Sequence, residues 1–458
     1  MLGLTVGPVT AAVSLPPAPT TRRGHRADLI AGGLVVVLVV AAVAGCLWWN
    51  PGRQLGPGAF AGAGPLFGEW PVLGTLLPHA GPATVTTVLL ALAVAIYGPG
   101  LAERLPWRCA LAAAYGGAVA WTFSLALIDG WRTGIADRLT AGGEYLSEVP
   151  HVPDVGVMLR TFTGRILDFQ PDSWPTHVSG HPPAATLVFV WLDRIGLGGG
   201  GVAGVVCVLA GAAAAAAVPV TVSALGGRDL ARAAMPFLVL FPGAVWVGVS
   251  ADGLFTGVTA TGIALLALGA TGRLPWALAG GVVLGFGIFL SYGLLLMGAI
   301  ALAVVLAARR WAALALALAG ALAVVGVFAA AGFWWLDGYH LVIERYYQGI
   351  AAHRPYSYWV WADLACLALA TGPVVGPGLR RVWRSRSGLA ALVAGAVVAV
   401  LASDLSGLSK AEVERIWLPF AVWLVAAAAL LPPTSRRWWL AAQAATALAV
   451  NSVLVTNW

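Results

Sequence analysis

The side chains that could do chemistry are concentrated between Asp129 and His181. This stretch carries seven carboxylates, four arginines and three histidines, whereas the sequence on either side consists of long apolar runs. Carboxylates and histidines are the side chains that most often move protons, and arginines bind phosphate and carboxylate groups in a fork. We therefore expect the chemistry of this protein to take place in this stretch.

Two carboxylates of the stretch are candidates for a catalytic base. Asp129 lies where an apolar run ends and is followed by Gly130, so its partly desolvated carboxylate would suit a base or a metal ligand. The alternative is an acid at the end of a membrane helix that reaches toward water. Glu144 is the second candidate, for holding a cation or orienting a hydroxyl group, and its alternative is a solvated loop residue.

The two histidines at the end of the stretch lie four residues apart. A zinc site with this spacing requires a helix, but Pro182 and Pro183 predict that the helix begins only at Pro182. We therefore predict that His177 and His181 do not bind a metal ion as a pair. His181 is instead expected to be a fixed hydrogen-bonding residue at the start of a helix.

Other candidate residues follow in short polar segments. Asp252 lies in Ser250-Ala251-Asp252-Gly253, between two apolar runs, where a functional acid and a turn residue are equally consistent with the sequence. Arg345 and Arg354 lie among tyrosines, a combination that suits phosphates and sugar rings. The alternative for that segment is the aromatic belt of a membrane-surface loop.

The sole lysine of the chain lies in a further polar segment, shortly before an apolar run. Lys410 and Arg415 could hold a phosphate there while glutamates, Glu414 among them, fix the geometry. The alternative is a salt-bridged helix start, because Lys410 and Glu414 are separated by the four residues of a helical ion pair.

The composition identifies the class of protein that must position these residues. The chain is 60% hydrophobic and only 10% charged, whereas soluble proteins carry about 25% charged residues. Many runs reach the roughly 20 apolar residues that cross a bilayer. We therefore predict an all-α polytopic membrane protein. The four cysteines are scattered in apolar runs and indicate packing, and the net charge of +7 indicates membrane topology rather than nucleic-acid binding.

The apolar runs predict thirteen membrane spans. A shorter apolar segment, 182–196, is predicted to lie at the membrane surface as a helix, and 276–308 could form a pair of half-depth helices. The spans are predicted at 29–49, 82–102, 108–128, 201–222, 233–249, 254–271, 276–290, 292–308, 312–333, 358–377, 388–403, 416–431 and 438–456.

Charge distribution sets the expected orientation. With the N-terminus inside, the cytoplasmic segments hold 16 of the 26 basic residues but only 3 of the 19 acids, as the positive-inside rule requires. The loop 129–181 is then extracytoplasmic. We divide the chain into a disordered cytoplasmic tail (1–28), two N-terminal spans (29–107) and a main membrane domain (108–458). One lysine against 25 arginines, together with the Ala, Gly and Val richness, suggests a high-GC bacterial genome, so we expect a bacterial plasma membrane protein.

The order of these pieces resembles the GT-C superfamily. In both, an acid ends a span (Asp129), a large loop follows, and His181-Pro182-Pro183 opens a surface helix. An acid at the next span pair (Asp252) and a short helix pair like 276–308 complete the similarity, which covers about 108–456. The segments GHPPAATLVFVWLDRIGL and SKAEVERIWLPF also resemble actinobacterial membrane proteins described as glycosyltransferases. Unlike the family, this chain begins with two extra spans and has Asp129-Gly130 where an acid pair is usual.

GT-C enzymes, such as protein mannosyltransferases and aminoarabinose transferases, use polyprenyl-phosphate-linked sugars. The resemblance implies a polyprenyl-phosphate-sugar donor and a glycan, lipid or protein acceptor in the cell envelope, among membrane lipids. It implies Asp129 as base, with Glu144 second, and His181 as an orienting residue beside Asp252 and Glu414. The donor phosphate would contact cations of the protein or a divalent metal ion, and the candidate cations are Arg345, Arg354, Lys410 and Arg415.

A membrane transporter or lipid flippase is the alternative function. Such proteins line their path with polar residues inside the spans and are often built from repeats. The predicted spans of this chain carry few charges, and no long repeat is visible. Both features favour the enzyme.

Overall fold

A computed structural model describes residues 22–49, 67–69 and 71–456. The structure is helical over most of this length, so the predicted all-α class is confirmed, with one small sheet in addition. The helices are α1 Arg22–Trp49, α2 Thr84–Arg104, α3 Trp107–Ala126, α4 Val155–Thr161, α5 Thr176–Gly180, α6 Ala184–Arg194, α7 Gly200–Ala212, α8 Ala214–Ala224, α9 Arg228–Val239, α10 Ala244–Val247, α11 Ala251–Thr271, α12 Pro275–Leu290, α13 Met297–Ala308, α14 Trp311–Ala330, α15 Trp335–Gln348, α16 Tyr356–Thr371, α17 Val375–Val382, α18 Gly388–Leu405, α19 Val413–Ile416, α20 Leu418–Val425 and α21 Pro433–Val453.

Seven helical segments in the described part of the chain are long and apolar enough to cross a membrane. They are α1, α2, α3, the continuous pair α7–α8, α11, α14 and α18. An eighth consists of α16 and α17, which are bent by 100° at Gly372, a residue with a φ of +75° followed by a proline. Three shorter apolar segments, Pro275–Leu290, Tyr292–Ala308 and Leu418–Leu430, add to these. The chain is therefore a membrane protein, and the count of thirteen spans stays a prediction.

The long helices run between two ends of the molecule, the loop end and the arginine end. At the loop end, α11 begins beside the loop 129–181. At the arginine end, α11 finishes beside Arg310, whose Nη1 donates to the carbonyl of Gly272 at 2.6 Å. Helix α2 runs the same way, because Gly81 at its start packs on Ile128 and Glu103 at its end faces Arg436. Helices α2 and α11 therefore both begin at the loop end and finish at the arginine end.

The small sheet closes the loop end. Strands β1 (Phe67–Glu69), β2 (Leu73–Leu76) and β3 (Leu454–Thr456) are antiparallel in the order β1-β2-β3. The predicted span 438–456 is therefore wrong at its end, because α21 stops at Val453 and the chain continues as a strand. Pairing with β2 satisfies backbone groups that a helix would satisfy internally. Residues 50–66 and 70 of the preceding polar segment lie outside the described residues.

The first helix begins earlier than predicted. Residues 22–28, assigned above to a disordered tail, form the first turns of α1. The reason is an ion pair: Asp28 is fully buried and faces Arg380 and Arg381 of α17, with 2.6 Å between Asp28 Oδ2 and Arg381 Nη2. A buried carboxylate requires such partners. Residues 1–21, the rest of the predicted tail, lie outside the described residues.

The loop 129–181 is folded rather than extended. It contains α4 and α5, joined by short helical turns, and α6 follows where the sequence predicts a helix at 182–196. Much of α6 is buried, from Ala184 to Val190. The predicted pair 276–308 forms two separate helices, α12 and α13, joined by a turn. The described residues also form one short π-helix, Arg132–Ala136, and short 3-10 helices at Arg138–Thr140, Tyr145–Ser147, Val149–His151, Thr163–Arg165, Tyr292–Leu296, Ile350–His353 and Ala426–Leu430.

Candidate functional site

Arg415 lies at the centre of a buried charge cluster at the loop end. Its Nη1 donates to Asp252 Oδ2 at 2.7 Å, and its Nη2 lies 2.8 Å from Glu412 Oε2 and 3.1 Å from His177 Nε2. These partners come from the start of α11, the segment before α19 and the helix α5. The predicted residues Asp252, Glu144 and Arg415 thus meet, because Glu144 contacts His177.

The segment before α19 is held in a strained conformation. Ala411 and Glu412 are consecutive non-glycine residues with φ of +67° and +63°, a region that costs energy for any side chain. Several contacts fix it: the Ala411 N–H donates to Asp363 at 3.0 Å, and Glu412 accepts from Arg354 at 3.0 Å as well as from Arg415. These contacts hold the strained backbone and place the Glu412 carboxylate between the guanidinium groups of Arg354 and Arg415.

The hydrogen bonds of His177 define its tautomer. Arg415 Nη2 can only donate, so His177 Nε2 must accept. The ring proton is then on Nδ1, which lies 3.0 Å from Glu144 Oε1 and 3.1 Å from the Gly143 carbonyl, both acceptors. Gly143 has a φ of +103°, which glycine tolerates best. The result is a carboxylate–imidazole pair with a defined orientation.

His181 and Tyr145 lie beside this pair. His181 Nδ1 is 2.8 Å from the His177 carbonyl and 3.0 Å from the Tyr145 hydroxyl oxygen. The carbonyl only accepts, so Nδ1 carries the proton and Nε2 is a neutral acceptor. Burial lowers the pKa of His181 to about 4, against the raising effect of Asp252. His181 thus hydrogen-bonds to the His177 carbonyl and the Tyr145 hydroxyl at the end of α5, and not at the start of a helix.

The prediction that the helix begins only at Pro182 is wrong. Helix α5 spans Thr176–Gly180 and includes His177, while His181 is its C-cap. The two histidines nevertheless face different partners, Glu144 and Tyr145 respectively. In the described part of the chain no group of three or more His, Cys, Asp or Glu side chains could hold a metal ion. The described residues at this end therefore offer no ligand set of that size.

Electrostatics stabilise the charged forms at the centre of the cluster. Burial alone would raise the pKa of Glu412, but Arg354 and Arg415 outweigh it and hold the pKa at about 2. Burial alone would lower the pKa of Arg415, but Asp252 and Glu412 raise it above its ordinary value. Both groups therefore stay charged at all physiological pH values.

A further cation, Lys410, lies next to the cluster. Lys410 is 7% exposed, and its Nζ donates to the carbonyls of Ala351 and Arg354 at 2.6 and 2.9 Å. The alternative ion pair with Glu414 is absent from the described contacts of Lys410, because α19 begins only at Val413 and the two residues share no helix. Burial and Arg354 lower the pKa of Lys410.

The remaining predicted residues lie in other surroundings. Arg345, on α15, pairs with Asp168 at 2.6 Å and not with the Arg415 cluster. Glu414 is fully buried on α19, and its proposed role in fixing geometry stays a prediction. Arg354 does join the cluster, through Glu412.

Asp129 belongs to a second cluster, with His79 and Arg138. Its Oδ1 lies 2.7 Å from His79 Nε2, and its Oδ2 lies 3.4 Å from Arg138 Nη2. His79 Nδ1 lies 2.7 Å from the Leu77 carbonyl, so each ring nitrogen has a hydrogen-bond partner. Arg138 also donates to the carbonyl of Thr456 in β3 at 2.6 Å. Asp129 thus holds the sheet to the loop.

Sequence reasoning missed His79 and His177 as members of these clusters, whereas Glu412 is one of the glutamates expected to fix the geometry beside Arg415. His79 stands in a Gly/Pro-rich segment with no motif around it, and no signal marks it. His177 is marked in the sequence by its place four residues before His181-Pro182-Pro183, but we considered that spacing only for a zinc site. Glu412 precedes Arg415 by three residues, a spacing that permits contact.

Comparison with known proteins gives no relative. No family model, curated protein or solved structure matches this chain.

Proposed function

We propose that this protein is a GT-C-like glycosyltransferase, which moves a sugar from a polyprenyl phosphate to a cell-envelope glycan, lipid or protein. One observation carries the proposal: Arg415, Asp252, Glu412, His177 and Glu144 form a buried cluster where membrane helices begin. Charges buried at membrane depth are costly and are usually retained for function. The cluster offers both groups that sugar transfer requires, a proton acceptor and phosphate-binding cations.

Lys410 is the strongest candidate for the donor phosphate. Its ammonium group contacts only backbone carbonyls and the rings of Tyr346 and Tyr347, at 6.0 and 5.3 Å. No carboxylate within ion-pair distance neutralises it among the described residues, and a third N–H remains for a ligand. Arg354 and Arg415 lie close by. Lys410 lies just before an apolar run, so we expect its ammonium group to be at the membrane surface, where a lipid phosphate lies.

Glu144 replaces Asp129 as our first choice among the carboxylates. Both oxygens of Asp129 already have partners, His79 and Arg138, and Asp129 joins the sheet to the loop. Glu144 faces a histidine instead and lies within the Arg415 cluster. Asp129 as base stays a prediction that a substitution can test.

The arrangement in the cell is part of the proposal. We place the loop end outside and the arginine end in the cytoplasm of a bacterial plasma membrane, with thirteen spans and a cytoplasmic N-terminus. The support is the charge distribution: the ion pairs of Arg380, Arg381 and Arg436 lie at the end opposite to the loop. A polyprenyl-phosphate sugar would then be used at the outer surface.

The transporter alternative draws on Asp363, an acid inside a membrane helix. Asp363 of α16 is buried, as a transport path would require. It accepts the Ala411 N–H, however, so its contact holds the strained segment before α19. This position supports the enzyme better than a transport path.

Transfer by the purified protein is the direct test. The protein in nanodiscs is given decaprenyl-phosphate-linked sugars and envelope glycans, and mass spectrometry detects the glycosylated product. Lys410→Gln is expected to weaken decaprenyl phosphate binding about tenfold or more, since a charged hydrogen bond is lost. Arg132→Gln, whose side chain is 84% exposed at the same end, is the matched control and should bind normally.

The outcomes separate the two functions. Transfer by the wild-type chain, with weakened binding in Lys410→Gln alone, supports the enzyme. Movement of a lipid-linked sugar across proteoliposomes without any transfer would favour the transporter. A wild-type protein that neither binds the lipid phosphate nor transfers a sugar contradicts the proposal.

A further inference from the structure

His177 has the geometry of a general base whose proton-accepting nitrogen is occupied by a hydrogen bond from Arg415. Its Nδ1 proton points at Glu144 Oε1, 3.0 Å away, and Glu144 is itself buried at the loop end. A carboxylate on Nδ1 fixes the tautomer and stabilises the imidazolium that forms when Nε2 takes a proton. Only Nε2 can therefore act, and it lies toward Arg415.

Resting on the proposed function, we propose that His177 Nε2 accepts the proton of the acceptor hydroxyl and that Glu144 is the residue that positions it. The sequence and the resemblance point to a carboxylate as base. The structure instead places an imidazole between the carboxylate and the phosphate-binding cation.

Arg415 controls when this base is available. One N–H of its Nη2 is directed to Glu412 and the other to His177 Nε2, so the lone pair of the histidine is occupied. A phosphate that binds Arg415 offers an anionic acceptor for that N–H, stronger than a neutral nitrogen. Donor binding would thus release Nε2, and the base would become active only beside a bound donor.

The reaction balances with these groups alone. The acceptor oxygen forms a bond to the anomeric carbon of the sugar, and the bond from that carbon to the phosphate oxygen breaks. The electron pair of the broken bond leaves with polyprenyl phosphate, whose charge Arg415 and Lys410 face. The acceptor proton moves to His177 Nε2, and the resulting imidazolium is paired with the Glu144 carboxylate. Displacement in one step inverts the anomeric carbon.

A double-mutant cycle tests the assignment. His177→Gln should lower kcat about 100- to 10,000-fold while decaprenyl phosphate binding stays within a few-fold of the wild type. Glu144→Gln should also lower kcat, yet add little to His177→Gln, because a positioning residue acts only through its base. His151→Gln changes an exposed histidine of the same loop and is the matched control.

Nitrogen-15 NMR of histidine-labelled protein gives a readout that needs no turnover. We expect His177 to be the Nδ1–H tautomer, and Nε2 to lose its hydrogen bond on addition of decaprenyl phosphate. An Nε2–H tautomer in the free protein, or a His177→Gln variant that keeps transfer that Glu144→Gln abolishes, overturns this inference while the transferase stands. A wild-type protein without transfer or lipid-phosphate binding overturns the proposed function, and this inference with it.

Discussion

A single guanidinium group satisfies acceptors from three parts of the chain at the loop end. Asp252, Glu412 and His177 all face Arg415. Removing one partner of a buried ion pair typically costs about 3–5 kcal/mol, because the other charge stays buried without compensation. Substitution of Arg415 therefore tests folding as much as phosphate binding. For this reason Lys410, which holds no carboxylate, is the better probe of the phosphate.

His181 makes stability depend on pH at the residue scale. Its pKa is lowered from 6.5 to about 4 in the folded state, so between these values the unfolded chain binds a proton that the folded chain does not. The contribution of His181 to the free energy of unfolding should therefore rise as pH rises from about 4 to 6.5 and then level off. Thermal unfolding of the solubilised protein across this range measures the effect.

A matched variant isolates this histidine. His181→Gln removes the titrating group, so the melting temperature should change less between pH 4 and 6.5 than in the wild type. Glu412 contributes mainly below this range, because its pKa of about 2 places its loss of stabilisation between about 4.5 and 2. An unchanged slope in His181→Gln would show that other groups cause the pH dependence.

Residue types at the site were predictable, but partners were not. Glu144, Asp252, Lys410 and Arg415 stand out because charge is rare in this chain. Which of them meet depends on contacts between residues far apart in sequence, such as the 50 residues between His79 and Asp129. No spacing rule reports such contacts, so the sequence could not show that Asp129 contacts His79 and Arg138.

At the element scale, α11 is the part that positions Asp252. Gly257 of α11 packs against the backbone of α7, where an added Cβ would come within 1.7 Å of the Ala210 carbonyl oxygen. Glycines of this kind let membrane helices approach closely. Asp252 lies five residues before Gly257 on the same helix. The contact between α11 and α7 therefore fixes the position of the Asp252 carboxylate along the helix axis.

Gly257→Ala should therefore separate α11 from α7. Overpacking typically costs about 1–3 kcal/mol, so we expect a lower melting temperature and reduced transfer, since Asp252 shifts relative to Arg415. The control is Gly298→Ala in α13, where an added Cβ meets nothing within 4 Å. Equal stability of the two variants would contradict the role given to this contact.

Helices were easier to predict than their ends. Runs of apolar residues located α1, α2, α3, α11, α14 and α18, because the bilayer sets their length. The break between α16 and α17 and the strand after α21 were missed. Both depend on tertiary contacts: the strand needs β2 as its partner, which lies almost 400 positions earlier in the chain.

At the scale of the whole molecule, the two polar loops share one end. Cysteines introduced at Ser147 and Ser406, which are both exposed, should label with a membrane-impermeant reagent in intact cells, because we place the loop end outside. Arg384→Cys, exposed at the arginine end, is the control that should label only after the cells are opened. Mass spectrometry of the purified protein reports each site.

Two results would contradict this arrangement. Labelling of only one loop cysteine would contradict their common end, which the contact between Arg415 and His177 requires. Labelling of Arg384→Cys alone would reverse the orientation, with the site in the cytoplasm. The orientation was predictable because basic residues cluster on one side, whereas the contacts that join the loops were not.

The contact between Asp252 and Arg415 has a consequence for the order of events during synthesis. The two residues are 163 positions apart. At roughly 5–20 residues per second, the ribosome reaches Arg415 on the order of 10 to 30 s after Asp252. During that interval the carboxylate must stay hydrated at the membrane surface. The cluster at the loop end therefore stays incomplete while α11 to α18 are inserted. It forms only when α19, which contains Arg415, has been synthesised.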